Sequence, residues 1–390
     1  MTAKISRHAE IIIIGAGVIG ASIAYHLSIN GIKDILVLDS APGPGTGSTG
    51  KATGGFRLQF GSKINIELSQ LSRQKLINFK SEHGIDPGYI EAGYLFLAQS
   101  ESEMENLKLA NTLQKNNGVA DAELVTAEEI QKLNPFINLN NIIGGTFCRS
   151  DGFIEPLSIL TGYVSSSQKS GVKFEYGCRI EKINYTGKRI ESVESSAEKF
   201  TGELFINAAG AWAGWLAGLA DEYLPVKHLK RQVCRIKETN TLPASTPMTI
   251  WVDTAFHFRM KDDHLILLLP DTPENNYNYN TSVESVWLEK VFSTAKEKLP
   301  ALKNCTIDTG ASWAGLYEMS PDEHVILGRS DYLENFYYAN GSSGHGVMHS
   351  PAIGELLAGI ICNKKSEIDI EVLSPNRFKE GKLIDQIPFF

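Results

Sequence analysis

The chain contains 390 residues, of which 42% are hydrophobic and 21% charged, as is usual for globular proteins. Its length predicts two domains with ample core. The formal net charge is −8, and the sequence contains neither a basic block nor interleaved basic and aromatic residues, so nucleic acid is not an expected partner.

The apolar and cysteine patterns argue against secretion and membrane insertion. The apolar run 11–24 is interrupted by glycines and preceded by Glu10, unlike a signal peptide, and no later stretch is long enough to span a bilayer. The five cysteines are scattered and form no Cys-x-x-Cys motif. A reducing cytoplasmic location is therefore expected.

Metal and serine-hydrolase chemistry are also not expected. The nine histidines include no His-x-x-x-His pair with a carboxylate partner, which is the usual signature of a metal site. No Gly-x-Ser-x-Gly motif occurs either, so the nucleophile turn of the α/β-hydrolases is missing.

The first predicted element is a strand, turn and helix with the spacing of a dinucleotide-binding unit. An apolar run ends in Gly15-x-Gly17-x-x-Gly20 and continues with helical residues, and Asp39 follows about 20 residues later. Gly15 would allow the tight turn, Gly17 the approach of a pyrophosphate, and Gly20 close packing of the helix. An acid at position 39 favours a free ribose hydroxyl over NADP, but the motif leaves FAD and NAD open.

The next segment, 47–57, combines small and hydroxyl residues with a final arginine, Arg57. Small residues let a chain lie flat against a ligand, and the planar guanidinium suits a carboxylate. The alternative is a surface loop with a solvated arginine. Its position after the first strand–helix unit favours a ligand site.

Later elements follow the spacing of apolar residues. Helices are predicted at 64–79, 101–117, after the capping box that begins at Thr126, at 156–169 and at 347–361. Strands are predicted at 172–175, 180–183, 204–208, 248–252, 256–260, 265–269 and 337–340. Because glycine-rich turns adjoin strands at the start, middle and end of the chain, one nucleotide-binding domain is expected to be assembled from separate segments.

Two more glycine-rich turns follow strands. The turn within 205–212 fits either contact with a nucleotide or tight packing between a strand and a helix. The turn within 339–351 precedes a helix, whose free N–H groups could face a phosphate or the pyrimidine edge of a flavin. His345 lies between two glycines in that turn and is a candidate functional residue, whereas His349 is expected to be structural.

Taken together, these segments resemble the D-amino-acid oxidase-like family of FAD-dependent amine oxidoreductases. The chain is most similar to the group that includes the sarcosine oxidase β-subunit, the β-subunit of dye-linked proline dehydrogenase and monomeric sarcosine oxidase. The matching segments are 15–20, 47–50, 54–57, 207–212, 224–226, 313–322 and 341–348. They occur in the family's order and extend from residue 11 to about residue 361.

The resemblance implies an α/β (α+β mixed) fold with a Rossmann-like FAD-binding domain and a substrate domain built on a large mixed β-sheet. We expect 1–85, 145–215 and 325–390 to form the FAD-binding domain, and 86–144 and 216–324 to form the substrate-binding domain. The residues expected to contact FAD are Gly15, Gly17, Val18, Ile19, Gly20, Asp39, Ser40, Ser48, Thr49, Lys51, Ala52, Thr53, Gly54, Ile180, Ala209, Gly210, Trp212, Gly344, His345, Gly346, Val347 and Met348.

For the substrate site, the resemblance implies that Arg57 holds a carboxylate, helped by Arg259 or His345. Met348 stands where monomeric sarcosine oxidases have a substrate-binding lysine. Phe60 and Tyr317 are candidate members of an aromatic pocket, as are Phe256 and Phe258.

Two other differences from the monomeric sarcosine oxidases concern the cofactor. Gly315 stands where monomeric sarcosine oxidases attach the flavin to a cysteine, so FAD is expected to be non-covalent. The stretch 263–268 lacks the lysine that promotes reaction with oxygen, which favours a dehydrogenase or a slow oxidase.

The expected reaction is oxidation of the C–N bond of a small amino acid by hydride transfer to flavin N5. A secondary amine such as sarcosine or proline is the expected substrate, and glycine or a D-amino acid is an alternative. Another alternative is a flavin-bearing subunit of a hetero-oligomeric amine dehydrogenase without independent turnover, and a third is an NAD-dependent dehydrogenase. The sequence identifies neither the electron acceptor nor whether partner subunits are needed.

Overall fold

The computed structural model describes residues 5–271 and 278–389. Its strands are, in chain order, β1 (Ile5–Ile14), β2 (Ile35–Leu38), β3 (Gly55–Phe56), β4 (Tyr94–Ala98), β5 (Ala122–Val125), β6 (Gly144–Cys148), β7 (Gly152–Phe153), β8 (Lys173–Glu175), β9 (Lys182–Thr186), β10 (Arg189–Glu194), β11 (Glu198–Asn207), β12 (Lys227–Thr239), β13 (Met248–Trp251), β14 (His257–Lys261), β15 (His264–Leu268), β16 (Trp313–Met319), β17 (Ile326–Arg329) and β18 (Phe336–Asn340).

The helices of the described ranges are α1 (Val18–Ile29), α2 (Ser48–Lys51), α3 (Lys63–His83), α4 (Glu101–Asn116), α5 (Ala127–Leu133), α6 (Pro156–Lys169), α7 (Ala213–Gly218), α8 (Ser285–Lys298) and α9 (Gly346–Ile361). The capping box predicted at Thr126 is present, since its hydroxyl accepts from the Glu129 N–H and the Glu129 carboxylate accepts in return. None of the helices in these ranges has both the length and the apolar content needed to cross a membrane.

The first sheet has the order β17-β18-β11-β1-β2-β8, and the β9–β10 hairpin extends it from β11. Its centre is parallel, with β1 between β2 and β11. Side chains alternate across β1: Ile11 and Ile13 pack with α1 and α9, whereas Ile12 and Ile14 pack with α7 and the hairpin. Both faces of β1 are therefore buried, as in other parallel sheets.

The second sheet has the order β16-β12-β15-β14-β13-β4-β6-β5 and is antiparallel except where β13 pairs with β4. One face packs on α5 and α8. The two sheets confirm the predicted mixed α/β class with a Rossmann-like unit and a second, large mixed sheet.

One predicted strand boundary is wrong, and we revise one predicted domain boundary as a proposal. The predicted strand 180–183 is wrong in its first half, because the turn at Gly177 (φ 71°) leads into an irregular segment and β9 begins only at Lys182. The domain boundary predicted at residue 145 would divide β6, which hydrogen-bonds to β4 and β5 of the second sheet. We therefore propose that this part of the substrate domain extends to Cys148.

Candidate active site

A cavity of about 770 Å³ lies between the two sheets. The predicted residues that line it are Gly15, Gly17, Val18, Ile19, Asp39, Ser40, Ser48, Thr49, Lys51, Ala52, Thr53, Gly54, Arg57, Ile180, Ala209, Gly210, Trp212, Tyr317, Gly344, His345, Gly346, Val347 and Met348. Five predicted residues do not line it, namely Gly20, Phe60, Arg259, Phe256 and Phe258. Phe256 and Phe258 are instead buried in the core on the face of the second sheet that packs on α5 and α8. The structure thus brings together segments from the start, middle and end of the chain.

The three glycines of the first turn meet different demands. Gly15 has φ 113°, and a Cβ there would lie 2.1 Å from the Ala208 carbonyl oxygen. A Cβ on Gly20 would lie 1.9 Å from the Gly15 carbonyl oxygen, so Gly20 serves the close packing of α1 rather than the cavity. Gly17 has φ −67°, and its Cβ would touch only Thr49 Oγ1 at 3.4 Å. Nothing among the described residues requires glycine at position 17, which is consistent with a ligand approaching the backbone there.

Asp39 fixes the same turn through both of its carboxylate oxygens. Oδ2 accepts a hydrogen bond from the Ala16 N–H at 2.7 Å, and Oδ1 accepts from the Ala41 N–H at 2.8 Å. Each carboxylate oxygen can accept more than one hydrogen bond. Asp39 can therefore organise the turn and still bind a ribose hydroxyl.

The small-residue segment before Arg57 connects the two sheets. Thr49 Oγ1 accepts from the Val18 N–H at the start of α1, at 3.1 Å. Ser48 Oγ donates to the Leu316 carbonyl at 2.8 Å, and Trp313 Nε1 donates to the Lys51 carbonyl at 2.8 Å. The segment is thus a fixed wall of the cavity and not a solvated loop.

Arg259 holds this wall in place and is not part of the cavity surface. Its Nη1 donates to the carbonyls of Thr53 and Gly54 at 2.7 and 3.0 Å, and its Nε donates to the Met260 carbonyl. The guanidinium carbon also lies 3.7 Å from the centre of the Phe153 ring. Because these contacts occupy the guanidinium, the expectation that Arg259 helps to bind a substrate carboxylate is not supported by the structure.

Arg57 is buried, with 4% of its surface exposed, yet it lines the cavity. Its Nη2 lies 3.3 Å from Nε2 of His345, and its guanidinium carbon lies 4.2 Å from the centre of the Phe60 ring. Burial lowers the Arg57 pKa to about 10, so the group stays cationic at neutral pH. Phe60 contributes by stacking under this cation, although it does not reach the cavity.

Asp151 anchors the backbone next to Arg57, a role that no sequence pattern indicated. The short β3–β7 pair brings Asp151 close to the segment that follows β3, and its Oδ1 accepts from the Leu58 N–H at 2.5 Å. Its Oδ2 accepts from Gln59 Nε2 at 2.9 Å. Burial raises the Asp151 pKa to about 7, since the charged form is poorly solvated there.

His345 is a neutral hydrogen-bond acceptor toward Arg57. A guanidinium only donates, so Nε2 carries the lone pair and the ring proton is on Nδ1. Burial, and then the positive charge of Arg57, lower the His345 pKa well below its usual value. His345 therefore orients Arg57 and is not a second cation for a carboxylate. His349 hydrogen-bonds Ser69 Oγ at 2.8 Å inside the core, consistent with the structural role predicted for it.

The opposite wall comes from the paired strands β12 and β16. Tyr317 packs under the glycine-rich turn, where a Cβ on Gly344 (φ 95°) would lie 2.5 Å from the Tyr317 ring. Arg231 is paired in register with Gly315, and its guanidinium carbon lies 5.8 Å from the centre of the Tyr317 ring. Both Arg231 and Glu318 line the cavity, although neither was predicted from the sequence.

Glu318 is a carboxyl group in a place that favours its neutral form. Its Oε1 accepts from the Ser342 N–H at 3.3 Å, whereas Oε2 is buried and has no hydrogen-bond partner among the described residues. Burial raises the Glu318 pKa to about 7. A buried oxygen without a partner is costly unless a ligand supplies one.

The residues that line the cavity fit FAD. The N-cap residue of α1 is Gly17, which has no side chain to cap the helix. The Gly17 backbone is open to approach, and Glu318 Oε2 lacks a protein partner among the described residues. Gly346 begins α9 directly after the turn that contains His345, so a second helix start borders the cavity. Within residues 5–271 and 278–389 no cluster of His, Cys, Asp or Glu could hold a metal ion.

Comparison with known proteins gives relatives along nearly the whole chain. FAD-dependent oxidoreductase domain-containing protein 1 of Xenopus laevis is 27% identical, and the match covers 91% of this chain and 79% of that protein. Mitochondrial dimethylglycine dehydrogenase of Homo sapiens is 25% identical over 95% of this chain. The chain spans less than half of that dehydrogenase, 44% of its length.

Solved structures share the same fold. L-proline dehydrogenase from P. horikoshii is 26% identical with a TM-score of 0.89, covering 97% of this chain and 100% of that one. Glycine oxidase from Geobacillus kaustophilus is 20% identical with a TM-score of 0.84, covering 95% and 99% of the two chains. The second likeness concerns the fold alone.

The family profile described as DAO, FAD dependent oxidoreductase, matches residues 10–360. That match includes both sheets and every segment that lines the cavity. The protein therefore belongs to the DAO family of FAD-dependent oxidoreductases.

Proposed function

We propose that this protein oxidises the C–N bond of a small amino acid whose nitrogen is a secondary amine, as in sarcosine or proline. The observation that carries the proposal is Arg57, a buried cation that faces the cavity and is held in position by His345. When bound, FAD supplies the acceptor for the hydride that leaves the carbon next to the substrate nitrogen.

Arg57 is suited to bind the substrate carboxylate. A carboxylate can accept two parallel hydrogen bonds from one guanidinium. Since Phe60 and His345 fix the plane and direction of Arg57, the bound amino acid would be held in one orientation, which is a large part of what catalysis requires.

The remaining walls favour an uncharged amine. The cavity is lined by apolar and aromatic side chains, namely Tyr317, Met348, Met248, Ile250, Leu268 and Leu269. Desolvation lowers the pKa of an amine, and an amine must have a free lone pair before its neighbouring C–H can leave as hydride. The product is an iminium ion, in which carbon has lost two electrons; water then hydrolyses it, or it persists as an imine where nitrogen is part of a ring.

The names of the relatives agree with this substrate class. Dimethylglycine dehydrogenase and L-proline dehydrogenase are both named for small amino acids. The predicted lack of an oxygen-activating lysine in 263–268 favours a dehydrogenase, for which the electron acceptor would be a separate molecule or subunit.

An anaerobic titration tests the proposal directly. The purified, FAD-loaded protein is titrated with sarcosine, L-proline, glycine and D-alanine while the visible flavin absorption is recorded. We expect sarcosine or L-proline to bleach the flavin at the lowest concentration. If none of the four bleaches it although dithionite does, the isolated chain does not oxidise amino acids and the proposal is rejected.

A further inference from the structure

A second guanidinium, that of Arg231, lies in the same part of the cavity as Arg57. Arg231 is half-buried on β12 and borders the cavity beside Tyr317. Its Nη1 is buried, and nothing among the described residues accepts a hydrogen bond from that atom. The salt bridges formed by the described residues do not include Arg231 either.

A buried N–H of a cation without an acceptor is costly, so a ligand that supplies the acceptor would gain affinity at this place. Tyr317 offers the face of its ring, which attracts a cation but accepts no strong hydrogen bond from Nη1. The acceptor that best matches a guanidinium is a carboxylate, because the pairing is charge-assisted and can be bidentate.

The positive charges of Arg57 and Arg231 affect the same small region of the cavity from different walls. Both guanidinium groups help to lower the pKa of His257, after the larger effect of burial, to about 4. His257 also lines the cavity, and in its neutral form it adds no charge. The region next to Tyr317 therefore holds two positive charges, one fixed by His345 and one with an open donor.

A single carboxylate would not form well-directed hydrogen bonds with both guanidinium groups. A bidentate pair with one guanidinium uses one lone pair of each oxygen. Its direction is set by Arg57, which His345 and Phe60 hold in place, so this pairing does not aim the remaining lone pairs at Arg231 on the other wall. A second anionic group on the substrate would satisfy Arg231 as well.

We infer that Arg231 binds a second carboxylate, so that the preferred substrate is a secondary amino acid with two carboxylate groups. This inference rests on the proposed function, because it assigns the first carboxylate to Arg57. Iminodiacetate and longer N-carboxyalkyl amino acids belong to this class, whereas sarcosine and proline carry one carboxylate only.

Binding can be measured without turnover by using thioethers, in which sulfur replaces the amine and no imine can form. The matched pair is methylthioacetate, with one carboxylate, and thiodiacetate, with two; 3-(carboxymethylthio)propanoate is a longer dicarboxylate. Perturbation of the flavin spectrum of the FAD-loaded protein gives each dissociation constant. We expect one of the dicarboxylates to bind at least about tenfold more tightly than methylthioacetate.

Variants identify the group responsible. Arg231→Met should remove the advantage of the dicarboxylate and change the dissociation constant of methylthioacetate by less than about threefold, whereas Arg57→Met should weaken all three ligands. Arg231→Lys should keep part of the advantage, and a thermal melt of each variant with its FAD content serves as the check on folding.

The results separate this inference from the proposed function. If Arg231→Met weakens mono- and dicarboxylates equally, or if wild-type protein binds neither dicarboxylate better than methylthioacetate, the second carboxylate site is rejected. If the Arg231-dependent preference is found but no amino acid bleaches the flavin, the anion site stands and the proposed oxidation fails. Bleaching by sarcosine without any dicarboxylate preference would support the oxidation and reject the second carboxylate site.

Discussion

Nη2 of Arg57 donates a hydrogen bond to Nε2 of His345, 3.3 Å away, so a neutral imidazole sets the direction of the buried cation. His345 is itself held edge-on against Phe60, with ring centres 4.8 Å apart and planes at 90°. The cation, the aromatic ring and the imidazole thus form one rigid unit on the cavity wall. Such a unit places a carboxylate more precisely than a free arginine could.

His345→Leu should therefore impair substrate binding although the charge of Arg57 remains. We expect KM for a carboxylate substrate to rise about tenfold, since one charge-assisted hydrogen bond is lost. His345→Asn keeps an acceptor and should restore part of the loss. Steady-state kinetics with an amine that lacks a carboxylate is the control, because its KM should change little in either variant.

Removing the cation should have a larger and more selective effect. Arg57→Met is expected to raise KM for carboxylate substrates by roughly a hundredfold, and to raise it far less for simple amines. An equal loss for both kinds of substrate would show that Arg57 supports the fold of the cavity and does not bind the carboxylate. The melting temperature of the variant distinguishes a folding defect from lost recognition.

The glycine-rich turns that line the cavity were largely predictable because their requirements are local in sequence. Gly15 needs a positive φ, and Gly20 packs against the Gly15 carbonyl. Both constraints act within six residues, so they produce a motif that can be recognised in the sequence. The same holds for the segment that ends at Arg57 and for the turn before α9. The predicted helices and the parallel core of the first sheet follow from equally local periodicity.

The part of the cavity that contains Arg57, Arg231 and Tyr317 was not predictable to the same degree, because its contacts join distant strands. Arg231 meets Tyr317 only through the pairing of β12 with β16, and Asp151 reaches Leu58 only through the β3–β7 pair. In sequence, Lys230 and Arg231 look like an exposed charged stretch. Lys230 is instead fully buried and ion-paired with Glu284, a relationship that only the tertiary structure reveals.

Gly17 offers a direct test of where the cofactor lies. Its φ suits any residue, and among the described residues a Cβ would contact only Thr49 Oγ1, at 3.4 Å, so Gly17→Ala should fold normally. FAD affinity should nevertheless fall at least about tenfold, because the methyl group would project into the space where the pyrophosphate is expected to approach the protein backbone. Isothermal titration of the apo-protein with FAD measures this effect.

Gly15→Ala is the matched comparison for Gly17→Ala. There the Cβ would lie 2.1 Å from the Ala208 carbonyl oxygen at a φ of 113°, so the melting temperature of the apo-protein should drop by several degrees. Unchanged FAD affinity in Gly17→Ala would mean that the cofactor does not approach this turn closely.

The attachment of the flavin can be checked by acid precipitation. Position 315 is glycine, and a Cβ there would lie 2.8 Å from Cβ of Lys51, so this site offers no thiol and little room for one. We expect the yellow colour to stay in the supernatant after precipitation with acid. Colour retained in the washed pellet would show a covalent bond to some other residue.

Glu318 should link the stability of the apo-protein to pH. The folded-state pKa is raised from 4.5 to about 7 by burial, so the folded protein binds a proton that the unfolded chain releases. The stabilising contribution is therefore complete below about pH 4.5 and is lost as pH rises through 7. This contribution to the free energy of unfolding is at most about 3 kcal/mol. Solvent screening makes it smaller, because the side chain is partly exposed.

Glu318→Gln keeps the acceptor for the Ser342 N–H but cannot ionise. Its apo-protein should melt at a higher temperature than wild type at about pH 8.5, and the difference should shrink toward about pH 6. Glu318→Ala should also lower FAD affinity, since Oε2 is available to a polar group of the cofactor, whereas Glu318→Gln should retain most of it. A melting temperature of Glu318→Gln that follows wild type across this pH range would indicate that Glu318 is already ionised well below pH 7, and that its free oxygen faces solvent or a cation rather than the cofactor.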